Sequence, residues 1–236
     1  VQIYKITNLI KGNLLMKICA IADLHGKFWK IKIPVTDVLV VAGDLDAYQY
    51  QSELEDFNKW LSKVPCKYKI VIAGNHDGFI DRTPICGVRE ILNNGIYLEN
   101  SGCEIKGVKF WGAPYTNVFG KWFFMLPEPM LTEEWNKIPI DTDILITHGP
   151  PDGILDFTQI GQENVGSVSL RERIKKIKPK LHIFGHIHEG YGTKVKDGTT
   201  YINCSVMDLN YSLENKPIVI NFDEKTKEIL EFYPVE

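Results

Sequence analysis

Five of the six histidines in this 236-residue chain fall within four short motifs: Asp23-Leu24-His25, Gly74-Asn75-His76-Asp77, Thr147-His148-Gly149 and Gly185-His186-Ile187-His188. A fifth motif, Gly43-Asp44, supplies another carboxylate. Asp23, His25, Asp44, Asn75, His148, His186 and His188 together form a set suited to holding two divalent metal ions. Side chains two apart at a strand end point the same way, so Asp23 and His25 can grip one cation together. Asp44 has two carboxylate oxygens and can bridge two ions, as in sites whose metals lie ~3.5–4 Å apart. Asn75 offers an amide oxygen, and the histidines offer imidazole nitrogens. This mixed oxygen and nitrogen set suits Mn, Fe, Zn, Co or Ni better than Mg or Ca, with Mn as the first choice. No cysteine lies in any motif, which argues against a thiolate zinc site.

Each motif is weak alone and informative in company, because every one of them closes an apolar run that reads as a β-strand. The runs are 17–22, 38–42, 69–73, 144–147 and 182–184. Near-continuous apolar strands of this length are buried on both faces, as in an α/β sheet. His182 lies inside the last run, outside any motif, and reads as structural. Between the runs come helical patterns. Ser52, with Glu55 three residues on, carries a capping-box signature for a helix ending before Pro65. Further helices are expected at 85–93, 132–137 and 168–177. The C-terminal third reads as strands at 192–195, 199–203, 217–222 and 229–232, with Lys196-Asp197-Gly198 as a hairpin turn. Residues 103–111 form a hairpin turning at Lys106-Gly107. The pattern predicts two packed sheets flanked by helices.

The segment 115–135 is rich in Tyr115, Phe119, Trp122, Phe123, Phe124 and Trp135 and has no clean period. It is either a satellite core or a wall facing a substrate.

Composition sets the remaining bounds. The hydrophobic fraction of 44% supports a sizeable core in one domain. A net charge of −3 gives no general reason for binding a nucleic-acid polymer or a membrane surface. The basic run 171–180 has Ile174 and Ile177 at helical spacing and reads as a solvated helix face. Five cysteines without C-x-x-C spacing argue against a disulfide framework and fit a reducing cytosol, so the expected location is cytoplasmic. No apolar run approaches the ~20 residues that span a bilayer. Residues 1–16 are expected to be a native extension or a remnant added for expression, and 17–236 a single domain.

The series D-x-H, G-D, G-N-H-D, T-H-G and G-H-x-H, spanning Lys17 to about Asn203, resembles the calcineurin-like metallophosphoesterase superfamily. The longer strings Thr147 to Asp156 and Gly185 to Gly192 resemble its MPPED-type phosphodiesterases. The resemblance implies a four-layer α-β-β-α sandwich of two mixed sheets flanked by helices. It also implies a first metal on Asp23, His25, Asp44 and His188, and a second on Asp44, Asn75, His148 and His186. Some MPPED-type members lack one histidine of the G-H-x-H turn; this chain keeps both. The superfamily's next acidic residue after G-D often comes one position later than Asp46, which is left as either a support behind the ligands or a solvated loop residue.

The implied reaction is metal-dependent hydrolysis of a small phosphodiester, such as a cyclic or short nucleotide, by in-line attack of a metal-bound hydroxide. His76 would stabilise the transition state or protonate the leaving oxygen, and Asp77 would hold its imidazole. Glu189, Tyr191 and the loop 149–152 adjoin ligands and would border the site. A phosphomonoesterase, including a protein phosphatase, is the second reading. The only arginines available to clamp a phosphate are Arg82, Arg89, Arg171 and Arg173, and none adjoins a ligand directly, although Arg82 follows the Gly-Asn-His-Asp loop closely enough to serve. A non-catalytic nucleotide sensor or interaction scaffold is the third. Substrate-contacting residues and oligomeric state are not legible.

Overall fold

The continuous apolar runs become the inner strands of two sheets in a computed structural model that describes residues 15–235. The first sheet holds, in spatial order, Ile229–Pro234, Ile218–Asp223, Leu15–Ile21, Thr36–Ala42, Cys66–Ile72 and Ile96–Tyr97. The second holds Gly192–Lys196, Thr199–Asn203, Leu181–Phe184, Ile144–Thr147, Val108–Ala113 and Ser101–Ile105. Both are mixed. The motif-bearing strands run parallel to their motif-bearing neighbours, antiparallel pairs close three of the four outer edges, and Ile96–Tyr97 closes the fourth in parallel with Cys66–Ile72.

Alternation along these strands builds three apolar layers. Ile18, Val38, Val40, Ile70 and Ile72 of the first sheet meet Phe110, Ile144, Ile146, Ile183 and Ile202 of the second. The opposite side chains of the first sheet, including Leu39 and Val41, pack on Leu54, Phe57 and Trp60 of the helix Gln51–Leu61. Those of the second, including Leu145 and Phe184, pack on Trp135 of Glu128–Asn136 and Ile174 of Val168–Ile177. The architecture is the expected α-β-β-α sandwich. At about 1.5–3 kcal/mol for each fully buried aliphatic side chain, these layers rather than exposed ion pairs hold the strand ends in place.

Several local expectations shift. Glu53, not Ser52 with Glu55, serves the helix N-terminus: its carboxylate receives the N–H groups of Gln49 (2.7 Å) and Tyr50 (2.9 Å). The helix expected at 132–137 starts earlier, at Glu128, because Pro127 and Pro129 sit where a first helical turn tolerates proline. Leu15 and Met16, assigned above to the extension, belong to the first strand, and Met16 is fully buried between the sheets. The rest of that expected extension lies outside the described residues. No described helix is long and apolar enough to cross a membrane.

Candidate metal centre and its cavity

Because the strands Leu15–Ile21, Thr36–Ala42 and Cys66–Ile72 are parallel neighbours, their motifs emerge at one edge. Those after Ile144–Thr147 and Leu181–Phe184 emerge at one edge of the second sheet. The two edges are stitched together where Ala22 bridges Ser205 and its N–H donates to the Cys204 carbonyl (3.0 Å). All the candidate ligands are thereby gathered in one place.

The turns that deliver them are left-handed. Asp23 (φ 58°), His25 (φ 40°), Asp44 (φ 55°) and His186 (φ 68°) occupy a region that L residues enter at a cost. Asp23 and His25 do converge, but through these turns and not through strand alternation, which ends before them. Close packing explains the motif glycines. A Cβ on Gly43 would stand 2.4 Å from His148 Nδ1 and 2.8 Å from the Ala73 carbonyl, at φ 97°. Gly43→Ala is therefore expected to cost about 3 kcal/mol of stability, read as a lower denaturation midpoint at unchanged m-value.

Asp23, Asp44, Asn75, His148 and His188 are all buried. Three groups have ligand atoms within 4.8 Å of one another: Asp23 with His25 and His188; Asp23 with Asp44 and His148; and His25 with Asp44 and His76. Asp44 stands between them, with Oδ1 3.3 Å from His148 Nε2 and Oδ2 3.6 Å from His25 Nε2. His186 joins none of these groups. Its ring lies 5.0 Å from that of His148, while its N–H donates to Asp23.

The donor chemistry fits divalent metal. His148 Nδ1–H donates to the Ala42 carbonyl (3.0 Å) and His188 Nδ1–H to the Asp208 carbonyl (2.9 Å), since a carbonyl only accepts. Each Nε2 is thereby turned inward with its lone pair, as in metal-ligating histidines. His148 Nε2 then faces two oxygens, Asn75 Oδ1 (2.9 Å) and Asp44 Oδ1 (3.3 Å), an arrangement that calls for positive charge. Burial disfavours a charge on His148, but the Asp44 carboxylate outweighs it and pushes the ring up to about 9. Burial likewise opposes ionisation of Asp44, yet the His148 and His25 rings hold it well below the usual carboxylate range. His25 is pushed down to about 4 by burial, and its buried Nε2 has no hydrogen-bond partner.

His76 is half-buried at this centre, its ring edge-on to His25 (4.6 Å) and tilted over Trp122 (4.3 Å). The expected clasp by Asp77 does not form. The fully buried Asp77 carboxylate instead receives four backbone N–H groups, from Gly74 (2.8 Å), Leu45 (3.2 Å), Asp46 (3.0 Å) and Ala47 (3.0 Å). It binds the turn after one strand to the turn after the next and acts on His76 only through the backbone. Asp46 lies half-buried beside Gly26, with burial, Glu53 and Asp44 raising its pKa against the pull of His76. His182 is structural in a specific way. The Thr147 hydroxyl donates to the Gly149 carbonyl (2.7 Å), so it accepts from His182 Nε2–H (2.8 Å), and burial keeps the ring neutral at a pKa of about 3. The pair braces the turn that presents His148.

A cavity of about 680 Å³ opens over Asp44, Asn75, His76, His186 and His188. The aromatic segment divides between the two roles left open for it. Phe124 and Trp135 are core, whereas Phe119 and Trp122 are exposed and wall the cavity. The segment is pinned to the centre by the Phe123 N–H, which donates to the Asn75 carbonyl (3.2 Å). Glu189 borders the cavity as expected from adjacency, and its carboxylate receives the Gln159 N–H (2.9 Å). Tyr191 and Asp152 do not line it: the Tyr191 hydroxyl donates to the Lys216 carbonyl, and Asp152 pairs with Arg171. Tyr211 does line it, and sequence reading gave no sign of this residue because it follows no strand and belongs to no motif.

Residues 16–190 match the profile of the calcineurin-like phosphoesterase family. Metallophosphoesterase domain-containing protein 1 of Homo sapiens is 40% identical over 225 residues, covering 85% of this chain and 69% of that protein. UPF0046 protein K07C11.7 of Caenorhabditis elegans is 36% identical over 228 residues, covering 91% and 78%. TT1561 of Thermus thermophilus shares the fold at TM-score 0.62 and 15% identity, over 94% of this chain and 100% of that structure.

Proposed function

Since the chain belongs to the calcineurin-like phosphoesterase family, we propose that it is a metal-dependent phosphodiesterase acting on a small phosphodiester, with cyclic or short nucleotides as candidate substrates. The observation that carries the diester assignment is the charge of the cavity wall: among the described residues its lining includes Asp44, Glu163 and Glu189 and no lysine or arginine. A phosphomonoester dianion calls for cationic side chains beyond the metals, whereas a diester carries a single charge. All four arginines are engaged elsewhere. Arg82 reaches the Tyr48 carbonyl and the Phe123 ring, Arg89 the Tyr97 carbonyl, Arg171 Asp152, and Arg173 the Ile138 carbonyl. Exposed aromatic walls suit a planar substituent on the phosphate.

In this reading Asp23, His25, Asp44 and His188 hold one ion, and Asp44, Asn75, His148 and His186 hold a second, with Mn preferred. Such a pair supplies Lewis acidity, drawing charge from the phosphoryl oxygens and acidifying a water. Asp44 and Asp23 provide the negative charge that retains the ions, and the backbone carbonyls of Ala42 and Asp208 orient His148 and His188. His76, at the cavity floor, donates a proton to the leaving oxygen or stabilises the charge developing on phosphate. Asp77 is a positioning residue: its four backbone hydrogen bonds keep the turn of Asn75 and His76 beside the turn of Asp44. The cysteines, all free, support a reducing compartment such as the cytosol.

Matched nitrophenyl diester and monoester substrates with added Mn test the reading. Diester cleavage at least tenfold above monoester cleavage, abolished by a chelator and restored by Mn, is the expected result. Monoester preference would reassign the protein as a phosphatase. No turnover by protein carrying two metal equivalents would leave a non-catalytic sensor or scaffold.

A further inference from the structure

Tyr211 sits outside every motif and every regular element, yet three separate contacts fix its backbone. Its N–H donates to the Asp208 carbonyl (3.0 Å), its own carbonyl accepts from Lys27 Nζ, and the Asp208 carboxylate closes the turn by receiving Asn210 N–H (2.9 Å) and Ser212 N–H (2.7 Å). The turn holds Tyr211 at φ 57°, a conformation disfavoured for a residue with a bulky side chain. The Asp208 carbonyl that accepts the Tyr211 N–H also accepts His188 Nδ1–H. One peptide group therefore orients a candidate metal ligand and aims an aromatic ring at the same centre.

That ring rests edge-on against His25 (4.8 Å) and His188 (5.0 Å) and lies 6.4 Å from His76. Trp122, from the segment pinned to Asn75, stacks on the same His76 ring at 4.3 Å. Both side chains border the cavity and remain accessible, Tyr211 at 46% and Trp122 at 39%. Two large apolar faces thus stand at the one histidine placed to meet the leaving oxygen, in a cavity lined by no lysine or arginine among the described residues. Such faces favour a flat, apolar group over an alkyl group of similar charge.

We propose that Tyr211 is a specificity-determining residue, whose ring, together with Trp122, receives a planar group attached to the substrate phosphorus. The inference rests on the reading of this cavity as a phosphate-ester site, and it names the substrate class: esters with an aromatic or heteroaromatic substituent, selected over alkyl esters. The strained turn carries the ring to the mouth of the centre.

The test separates binding from turnover. Methyl(phenyl)phosphinate and dimethylphosphinate, which like a diester carry a single charge and whose C–P bonds resist hydrolysis, are titrated calorimetrically into metal-loaded wild-type protein and into Tyr211→Ala, Tyr211→Leu and Tyr211→Phe, with metal content measured for each. The expected result is a roughly tenfold preference for the phenyl probe in wild type. The Ala and Leu variants should lose most of it at an undiminished metal content, and the Phe variant should restore it. A preference that survives in Tyr211→Ala, or that is missing from wild type, overturns the proposal. So does loss of metal in both Ala and Leu variants, which would make Tyr211 a support for His188 alone. Wild-type protein that prefers the phenyl probe through Tyr211 but cleaves no diester would overturn the phosphodiesterase reading while leaving this one standing.

Discussion

Asp44→Asn is expected to lower bound metal from two equivalents to one or fewer and to cut diester kcat/KM by roughly 10³-fold, a loss of several kcal/mol of transition-state stabilisation. The size of the effect follows from where Asp44 stands. Its two oxygens face different histidines, His148 at 3.3 Å and His25 at 3.6 Å, so one substitution weakens both proposed metal positions. The amide also removes the charge that raises His148 and exchanges an acceptor for a donor at one of the two oxygens. Oδ1 further receives the His76 N–H (2.8 Å), which couples the metal centre to the turn carrying the proposed acid. Elemental analysis of the purified variant, with circular dichroism to confirm the fold, reads the result. Full metal content with full activity would remove Asp44 from the residues proposed to hold the ions.

His76→Ala is expected to reduce kcat by roughly 10²–10⁴-fold, the usual contribution of a positioned acid, while both metal equivalents remain. The second half of that expectation matters because His76 also falls within a group with His25 and Asp44 whose ligand atoms lie close enough to hold an ion. A ligand role predicts loss of metal together with activity. A proton-transfer role predicts loss of kcat alone, with a smaller effect on a diester whose leaving group needs no proton. Comparing nitrophenyl and alkyl leaving groups in the same variant therefore distinguishes the two roles for one side chain.

Much of this is legible in the sequence. The strand 199–203 and the helix 168–177 emerge with the expected bounds, because alternation and 3.6-residue periodicity report directly on which face is buried. The four layers follow from the same apolar runs. Where expectations shifted, a local rule met a competing local group. Glu53 reaches the N–H groups of Gln49 and Tyr50, so Ser52 is not needed as a cap, and two prolines extend the helix of Trp135 backwards instead of blocking it. Asp23 and His25, which follow the strand Leu15–Ile21, show a different lesson, since they converge for a reason the period-two rule does not contain.

The sequence by itself determined the chemical kinds available, their order along the chain, the sheets whose ends carry them and the family to which they belong. Only the tertiary structure decided where each polar group spends its hydrogen bonds. Asp77 is adjacent to His76 in the chain, yet its carboxylate serves Leu45, Asp46 and Ala47, some thirty residues away, as well as Gly74 nearby. His188 is turned by the carbonyl of Asp208, and the division of Phe119 and Trp122 from Phe124 and Trp135 depends on which of them the packed layers can cover. Tyr211 reaches the centre from a turn with no sequence signature. The physical reason is common to all of these. Periodicity records contacts between neighbours on one element, whereas these side chains are directed by single hydrogen bonds and packing contacts between segments distant in the chain, formed only after the sheets have brought those segments together.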